Sequence, residues 1–264
     1  MRVTLDIRKT IDENAASYFE KSKHDKKKIE GARKVIEEHR RKLEDFSARE
    51  EVKEKNRPKK VAEKQKREWF EKFRWFFSSD GFLVIGGRDA VTNEIVVKKH
   101  TDPDDWVFHT DMAGSPFVII KRKGHAGEVP ESTMEEAAQF TAVFSRGWKQ
   151  GMATLAVFHV KPSQVTKEAN AGESLPRGAF MIRGETKYHH PQMNYAVGLK
   201  DGKVMGGPIP AVKKHCKEII EIVQGDSGSK VSDVAKAVKK AIGGDLDDII
   251  RVLPQNCKIK KQKR

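Results

Sequence analysis

The segment DDWVFHTDMAGSPFVIIK, residues 104–121, brings acidic groups and an imidazole close together along the chain. Asp105, His109 and Asp111 are residue types that serve as general acids and bases, as metal ligands, or as groups that position a bound molecule. Three kinds of chemistry are therefore open for this stretch: hydrolysis, metal binding, and the holding of a ligand without a reaction.

A hydrolase needs a nucleophile, a base beside it and a donor for the oxyanion. Ser115 follows a glycine, but Pro116 has no N–H and cannot supply the donor of a nucleophile elbow. A hydrolase that uses Asp105 and His109 stays open as one hypothesis, without a positive sign of a triad.

Metal and nucleotide sites have little support. The nine histidines include the pair His189-His190, but neighbours on a strand point to opposite faces, and no HExxH spacing occurs. Gly86-Gly87 and Gly206-Gly207 lie outside the GxGxxG and P-loop patterns, so we expect tight turns there. We predict no metal and no cofactor.

The charge balance indicates a polyanionic partner. The chain has 264 residues with 52 Lys and Arg against 38 Asp and Glu, a net charge of +14. Such a balance favours nucleic acid or an anionic membrane surface as partner. Cys216 and Cys257 are isolated, which suits a reducing compartment. No apolar run approaches the roughly 18 residues of a membrane span, and no signal peptide is visible. We expect a soluble, cytoplasmic protein.

Residues 1–74 differ in kind from the rest, with 24 Lys and Arg, 16 Asp and Glu, and a net charge of +8. Ile29, Ile36 and Leu43 recur every seven residues, and Ala32 and Phe46 fall on the same face. This spacing predicts a basic helical, coiled-coil-like arm with a seam for a protein partner or for self-association. Pro58 separates two predicted helices, which span 10–46 and 59–73.

The remaining chain predicts a mixed α+β fold. Residues 75–224 are expected to form the main domain, and 225–264 a linker with C-terminal helices and a basic tail. Hairpins are predicted at 73–87 and 196–207, strands at 94–100, 115–123, 152–160 and 178–188, and helices at 132–151, 211–224, 231–242 and 245–251. Ser132 or Thr133 is the expected cap of the helix at 132–151.

Basic residues alternate with aromatic residues and turn glycines along this domain. They are Lys72, Arg74, Arg88, Lys98, Lys99, His100, Lys121, Arg122, Lys123, Arg177, Arg183 and Lys187, with Trp75 among them. Lys and Arg neutralise phosphates, while aromatic rings and guanidinium planes stack on unpaired bases. The pattern favours nucleic-acid binding over catalysis, although Trp75, Phe76, Phe77 and Phe82 are also expected in the core.

Several ordered motifs resemble a known family. Residues 70–100, 104–121, 159–169 and 175–188 together resemble the NFACT-R (NFACT RNA-binding) domain, which is related to the NEMF and RqcH ribosome-quality-control proteins. Residues 10–23 resemble the start of the coiled-coil segment that precedes this domain. Residues 244–255 resemble the C-terminal end of archaeal members. No match to the NFACT-N domain is visible in this chain.

The resemblance implies a non-catalytic RNA-binding protein of ribosome-associated quality control. Its expected partners are ribosomal RNA on the large ribosomal subunit and the peptidyl-tRNA that this subunit holds. The standalone type of NFACT-R protein supplies an alternative, a DNA-binding or membrane-associated interaction protein.

By the same resemblance, RNA-binding roles fall on a set of charged and polar residues: Arg88, Asp89, Asp105, His109, Asp111, Gln164, Lys167 and Arg183. Arg88, Lys167 and Arg183 would contact phosphates or 2′-hydroxyls. His109 would donate to phosphate or be oriented by Asp105 or Asp111, and the acids would fix these side chains. The chain departs from the family pattern at Trp106 and Phe117.

Overall fold

The computed structural model describes residues 4–55, 67–168, 174–225, 228 and 230–260, and for residues 43–55 it describes only the backbone. The chain divides into two compact units, residues 1–66 and residues 67–264. The first unit is a long helix with its N-terminal cap. The second contains every strand that the described residues form.

The first unit is built on α1 (Ile11–Lys55). A capping box closes its first turn: the Glu13 N–H donates to Thr10 Oγ1 at 3.2 Å, and the Thr10 N–H donates to Glu13 Oε2 at 2.8 Å. The predicted end of this helix at residue 46 is wrong. Residues 47–55 contain neither glycine nor proline, so no helix-breaking residue ends the helix there.

The predicted heptad face of α1 lies on exposed surface within its own unit. Ile29 and Ile36 are 55% and 58% exposed. The side chains of Leu43 and Phe46 lie outside the described residues. The pairing of this face with a partner therefore stays a prediction.

The predicted helix at 59–73 is not found where the structure can be described. Residues 59–66 lie outside the described residues. Trp69–Lys72 form a single 3-10 turn instead, and Arg74 already belongs to a strand. The strand begins there because Arg74 pairs with Gly86 across a hairpin.

The described residues of the second unit form twelve strands. Numbered along the chain, they are β1 (Arg74–Phe77), β2 (Leu83–Gly86), β3 (Trp106–His109), β4 (Val118–Ile120), β5 (Val157–Val160), β6 (Val165–Thr166), β7 (Met181–Ile182), β8 (Lys187–His189), β9 (Tyr195–Lys200), β10 (Lys203–Gly207), β11 (Ile219–Gln224) and β12 (Cys257–Ile259). All pairings between them are antiparallel. A six-stranded sheet has the order β1-β2-β4-β3-β5-β8, a four-stranded sheet the order β10-β9-β11-β12, and β6 pairs with β7.

Six helices accompany these strands in the described part of the second unit. They are α2 (Ala90–Lys99), α3 (Glu131–Val143), α4 (Arg146–Lys149), α5 (Ile209–His215), α6 (Val231–Ile242) and α7 (Leu246–Val252). Helix α3 packs on β3, β4 and β5, while α5, α6 and α7 pack on the four-stranded sheet. Phe76, Phe108, Phe140 and Tyr195 lie in one continuous buried cluster. The predicted mixed α+β class is confirmed.

Both predicted hairpins are confirmed. Trp75 pairs with Ile85 in the first, and the Ser78 N–H donates to the Phe82 carbonyl at 2.8 Å where the turn closes. In the second, Asp201 and Gly202 have φ angles of 51° and 79°. Two successive left-handed residues match the twist of a tight hairpin, which is why an Asp-Gly pair suits this position.

The predicted strand at 94–100 is wrong, because residues 94–99 belong to α2 and His100 is the C-cap of this helix. Asp89 caps this helix: its carboxylate accepts a hydrogen bond from the Thr92 N–H at 2.8 Å. The run Ile95-Val96-Val97 has β-branched side chains that favour a strand. The Asp89 cap and the complete burial of Val96 in the core stabilise the helix by more than the β-branched side chains favour a strand.

Two predicted helices are also corrected. In the range 211–224, α5 ends at His215, and residues 219–224 are the strand β11 because they pair with β9 and β12. In the range 132–151, the helix divides into α3 and α4. Its predicted cap is wrong as well, since Ser132 and Thr133 donate to Asp80 instead.

The C-terminal segment is built into the second unit. Strand β12 forms an edge of the four-stranded sheet. Carbonyls of this segment accept hydrogen bonds from Tyr195 Oη (at Val252, 2.6 Å) and from Trp148 Nε1 (at Gln255, 2.8 Å). Among the helices of the described residues, none has the length and apolar character to cross a bilayer.

Candidate functional site

An open cleft of about 380 Å³ lies where three loops from distant parts of the chain meet. The first loop is residues 87–90 between β2 and α2, the second is residues 113–117 before β4, and the third is residues 177–180 before β7. The volume falls within the range of about 300–1,000 Å³ that is typical of small-ligand sites. We call this space the main cleft.

Asn93 joins the first two loops of the main cleft. Its side-chain oxygen accepts a hydrogen bond from the Phe117 N–H at 3.1 Å, and its amide nitrogen faces the Ser115 carbonyl at 3.5 Å. Gly87 makes room for this side chain, because a Cβ at position 87 would lie 1.9 Å from the Asn93 oxygen. A side chain at Gly87 would therefore separate the two loops.

The third loop is fixed to α2. Gly178 has a φ of 78°, and a Cβ there would lie 2.6 Å from the backbone of Ala90. The Gly178 N–H donates to Glu94 Oε2 at 3.1 Å. Hydrogen bonds from Lys98 and from this N–H hold the pKa of Glu94 at about 2. The walls of the main cleft are thus assembled before any ligand arrives, which reduces the entropy lost on binding.

The floor of the main cleft is aromatic. The His109 ring stacks on Phe117 with 4.1 Å between ring centroids, and Phe117 meets Phe180 edge to face at 5.2 Å. Burial lowers the pKa of His109. Hydrogen bonds with the backbone of Thr110 and Ser115 act in the opposite direction but are the weaker effect. His109 is therefore neutral near pH 7 and offers a flat uncharged ring.

The charge of the main cleft comes from arginines. Arg74 lies over the Phe144 ring at 4.4 Å and donates to the Gly87 carbonyl. Burial, and then the nearby Arg88, lower the pKa of Arg74 to about 10, so it stays protonated at neutral pH. Within the described residues, neither guanidinium forms an ion pair with a carboxylate. Their charges create a positive potential that favours an anion in the cleft.

Two further arginines lie on the exposed side. Arg177 lines the main cleft on the third loop, and its side chain is exposed. Among the described residues no hydrogen bond or ion pair holds it. Arg146, also exposed, lies close to Gly114 of the second loop, where a Cβ would be 3.9 Å from its Nε. Both can meet an anion at the entrance.

A second cleft of about 370 Å³ lies between α2, β3 and the segment 162–167. Val97, Val107 and Val165 contribute apolar walls, and Phe180 borders this cleft as well as the main one. The Lys167 ammonium lies 4.7 Å from the centroid of the Phe180 ring. One aromatic side chain with a cation over it therefore separates two cavities of nearly equal size.

Three of the predicted site residues line the main cleft: Arg88, Asp89 and His109. The Arg88 side chain donates to the backbone carbonyls of Lys72 (3.1 Å), Arg251 (2.9 Å) and Phe73 (2.8 Å). Asp89 is the cap of α2. Both side chains thus hold structure, and their direct contacts to RNA stay a prediction.

Asp105 lies elsewhere, in the interior. Its carboxylate is 0% exposed and pairs with the Lys121 ammonium, and it accepts from the N–H groups of Asp102 (2.8 Å) and Arg122 (2.9 Å). Asp105 precedes β3 and His109 ends it, so the strand separates them by about 13 Å at 3.3 Å per residue. The Asp105–His109 dyad of the hydrolase hypothesis is not formed, and Asp105 does not orient His109.

The other predicted residues fall into separate places. Asp111 is exposed and accepts a hydrogen bond from Tyr188 Oη at 3.1 Å. Gln164 donates to the carbonyls of Arg183 (2.9 Å) and Glu185 (2.7 Å), which ties together the ends of β6 and β7. Arg183 donates to the Glu168 carbonyl at 3.3 Å, and Lys167 to that of Pro176 at 3.2 Å. The eight residues do not converge on one point.

Asn93 and Phe180 are among the cleft residues that sequence reasoning missed. Both carry weak local signals, because an Asn in a helix and a single Phe in a loop are common. Arg74 and Arg177 appeared among the basic residues, but no spacing placed them together.

The fold and the cleft define a class of protein, a compact α+β domain with a basic, aromatic-floored binding cleft. Residues 72–184, which carry all three cleft loops, match the family model described as NFACT protein RNA binding domain. The predicted resemblance to the NFACT-R family is thereby confirmed for this part of the chain.

Individual relatives extend the match. The chain is 43% identical over 206 residues to the archaeal Rqc2 homolog aRqcH of Methanocaldococcus jannaschii, covering 75% of this chain and 30% of that protein. It is 33% identical to the ribosome quality control complex subunit NEMF homolog of Drosophila melanogaster, covering 75% of this chain and 20% of the relative. It is 35% identical to human ribosome quality control complex subunit NEMF, covering 67% of this chain and 16% of that protein. The chain thus spans a third or less of the length of these relatives.

Proposed function

We propose that this chain is a non-catalytic RNA-binding protein that acts in ribosome-associated quality control, on the large ribosomal subunit and the tRNA that it holds. The observation that supports this proposal is the main cleft. Its guanidinium groups lack carboxylate partners among the described residues, and it lies within the segment that matches an RNA-binding family model. The similarity to the ribosome quality control proteins named above supports the choice of this cellular process.

The physical basis is electrostatic attraction combined with stacking. Phosphates bind to Lys and Arg with the release of counterions, which makes affinity fall as salt rises. Single-stranded RNA adds the stacking of bases on partly exposed rings such as those of His109 and Phe180. A binding role without catalysis agrees with the separation of Asp105 from His109, because the pair that the hydrolase hypothesis requires is not formed.

Helix α1 has a separate proposed role. Its exposed face with Ile29 and Ile36 can pair with a helical partner or with a second copy, and its many basic residues can contact RNA. These interactions are part of the proposal and are independent of the main cleft.

Co-sedimentation with purified large ribosomal subunits tests the proposal. We expect association that weakens steeply between about 50 mM and about 200 mM salt, as counterion release requires. The Arg177→Gln variant should weaken binding and reduce the salt slope by about 1, whereas Lys217→Gln, which removes an equally exposed charge outside both clefts, should have a smaller effect. No association at low salt, or affinity that ignores salt, would contradict the proposal.

A duplex DNA competitor addresses the alternative function. An RNA-binding protein should lose little ribosome association to duplex DNA, because A-form RNA and unpaired bases present other shapes and 2′-hydroxyls. Equal affinity for duplex DNA and structured RNA would favour the DNA-binding alternative.

A further inference from the structure

The two clefts of the second unit are neighbours that share one wall. Phe180 lines both, and the cavities have nearly equal volumes of about 380 and 370 Å³. The ring of Phe180 is held from one side by Phe117, edge to face at 5.2 Å, and has the Lys167 ammonium at 4.7 Å. This arrangement gives a fixed aromatic partition with a cation beside it.

The main cleft combines groups that suit a single nucleotide. Arg74 and Arg88, neither of which forms an ion pair among the described residues, provide positive charge at its base beside the Asp89 carboxylate, and exposed Arg177 provides it at the rim. The partly exposed rings of His109, which stacks on buried Phe117, and of Phe180 provide aromatic surface. Phosphate is attracted by the first set of groups, and a base packs against the second.

The second cleft also combines apolar and polar groups. Val97, Val107, Val165 and Pro162 contribute apolar walls, and Lys98, Thr101, Thr166 and Lys167 contribute polar groups. Lys167 also contacts Glu94 at 3.5 Å, the residue that fixes the third loop of the main cleft. A base finds apolar surface here, and Lys167 lies at the border where a linking phosphate would pass.

We infer that the paired clefts bind two consecutive unpaired nucleotides of an RNA strand, one in each cleft, with the Phe180 ring between them. This inference rests on the proposed RNA-binding function and deepens it, because it names unpaired RNA as the ligand. Each nucleotide bound in such a site adds stacking energy whichever base it carries, since every base has a π-face.

Binding of the full chain to a series of RNA hairpins tests the inference. The probes share one stem whose loop is a non-nucleotide linker, so that the only unpaired RNA is a 3′ overhang of zero, one, two or four nucleotides. Affinity should rise about tenfold or more in total as the first and second overhanging nucleotides are added, and should then level off. Fluorescence anisotropy at constant salt measures each dissociation constant.

Variants of Phe180 connect the overhang effect to the partition. Phe180→Leu keeps an apolar side chain against Phe117 but removes the ring, whereas Phe180→Trp keeps a ring. We expect Leu to abolish the overhang preference and Trp to retain it. Arg177→Gln, an exposed change that leaves the packing intact, supplies a second test: it should reduce overhang binding more than Lys217→Gln does. Thermal unfolding confirms that each variant is folded.

The outcomes separate this inference from the proposed function. If blunt and overhanging hairpins bind equally, if affinity keeps rising up to four nucleotides, or if Phe180→Leu retains the preference, the two-nucleotide site is wrong, although RNA binding stands. If no hairpin binds and large ribosomal subunits do not co-sediment either, the proposed function fails and the inference fails with it.

Discussion

The side-chain oxygen of Asn93 accepts a hydrogen bond from the Phe117 N–H at 3.1 Å, between residues 24 positions apart in the chain. Asn93 is on the first turns of α2, and Phe117 ends the loop before β4. Because both atoms are buried, the bond fixes two walls of the main cleft relative to each other.

Replacement of Asn93 tests this link. Asn93→Ala leaves the Phe117 N–H buried without an acceptor, which should lower the free energy of unfolding by about 1–3 kcal/mol and weaken RNA binding. Asn194→Ala, which removes an exposed asparagine side chain outside the main cleft, should change the free energy of unfolding by less than about 0.5 kcal/mol and leave RNA binding unchanged. Urea denaturation and anisotropy measure the two quantities. Equal loss of stability in both variants would contradict the role of the acceptor.

We expect Asp105 to stabilise the fold rather than to contact RNA. Asp105→Ala leaves the Lys121 ammonium without its fully buried partner, and the expected loss is about 3–5 kcal/mol in the free energy of unfolding. Asp104→Ala, next to it but exposed, should change stability by less than about 0.5 kcal/mol. If Asp105→Ala unfolded like the wild type while losing RNA binding, a direct contact of this carboxylate to RNA would have to replace the structural account.

Gly178 and Gly151 form a matched pair, because both have φ near 77° (78° and 76°) but different surroundings. Gly151→Ala has open space and should cost only the left-handed conformation, about 1–2 kcal/mol. Gly178→Ala adds the clash with Ala90 and should cost about 1–3 kcal/mol more. Since the third loop must shift, only Gly178→Ala should also weaken RNA binding. Thermal unfolding measures the stability of the two variants, and anisotropy measures their RNA binding. Equal effects of the two substitutions on both quantities would exclude the packing role of Gly178.

His159 predicts a pH dependence of stability. Burial, then His189 and neighbouring lysines, lower its pKa to about 4 from an ordinary value of 6.5. The unfolded chain therefore takes up a proton more readily than the folded chain between pH 6.5 and about 4, so stability falls as pH drops through this window. His159→Gln should make this fall shallower, and His190→Gln, at an exposed position, should leave it unchanged. Urea midpoints across the window give the slopes, and identical slopes for all three proteins would refute the assignment.

The hairpins could be predicted from the sequence because their signals are local. The turn at Asp201-Gly202 needs two left-handed residues, and the apolar runs on either side of it pair with each other across the turn. The strand β11 could not be predicted in the same way. Residues 219–224 are extended because β9 and β12 lie on either side of them, and β12 is more than thirty residues away.

The candidate site was also hard to predict from the sequence, because it too depends on contacts between residues that are distant in the chain. His109 and Arg88 were named from motifs, and both do line the main cleft. The cleft itself arises from loops at 87–90, 113–117 and 177–180, which come together through Asn93 and Gly178. No spacing in the sequence encodes that assembly, so Asp105 was grouped with His109 although they lie at opposite ends of one strand.

The edge position of β12 has a consequence for biosynthesis. A chain made from its N-terminus has to emerge past Val252 and Gln255 before Tyr195 and Trp148 gain their backbone acceptors, and past Ile259 before the four-stranded sheet gains its last strand. Until then, these polar atoms and the surrounding apolar side chains lack their cover, and such intermediates are prone to aggregate. A product released prematurely, before β12, is therefore expected to be a substrate for chaperones and proteases rather than a weakened binder.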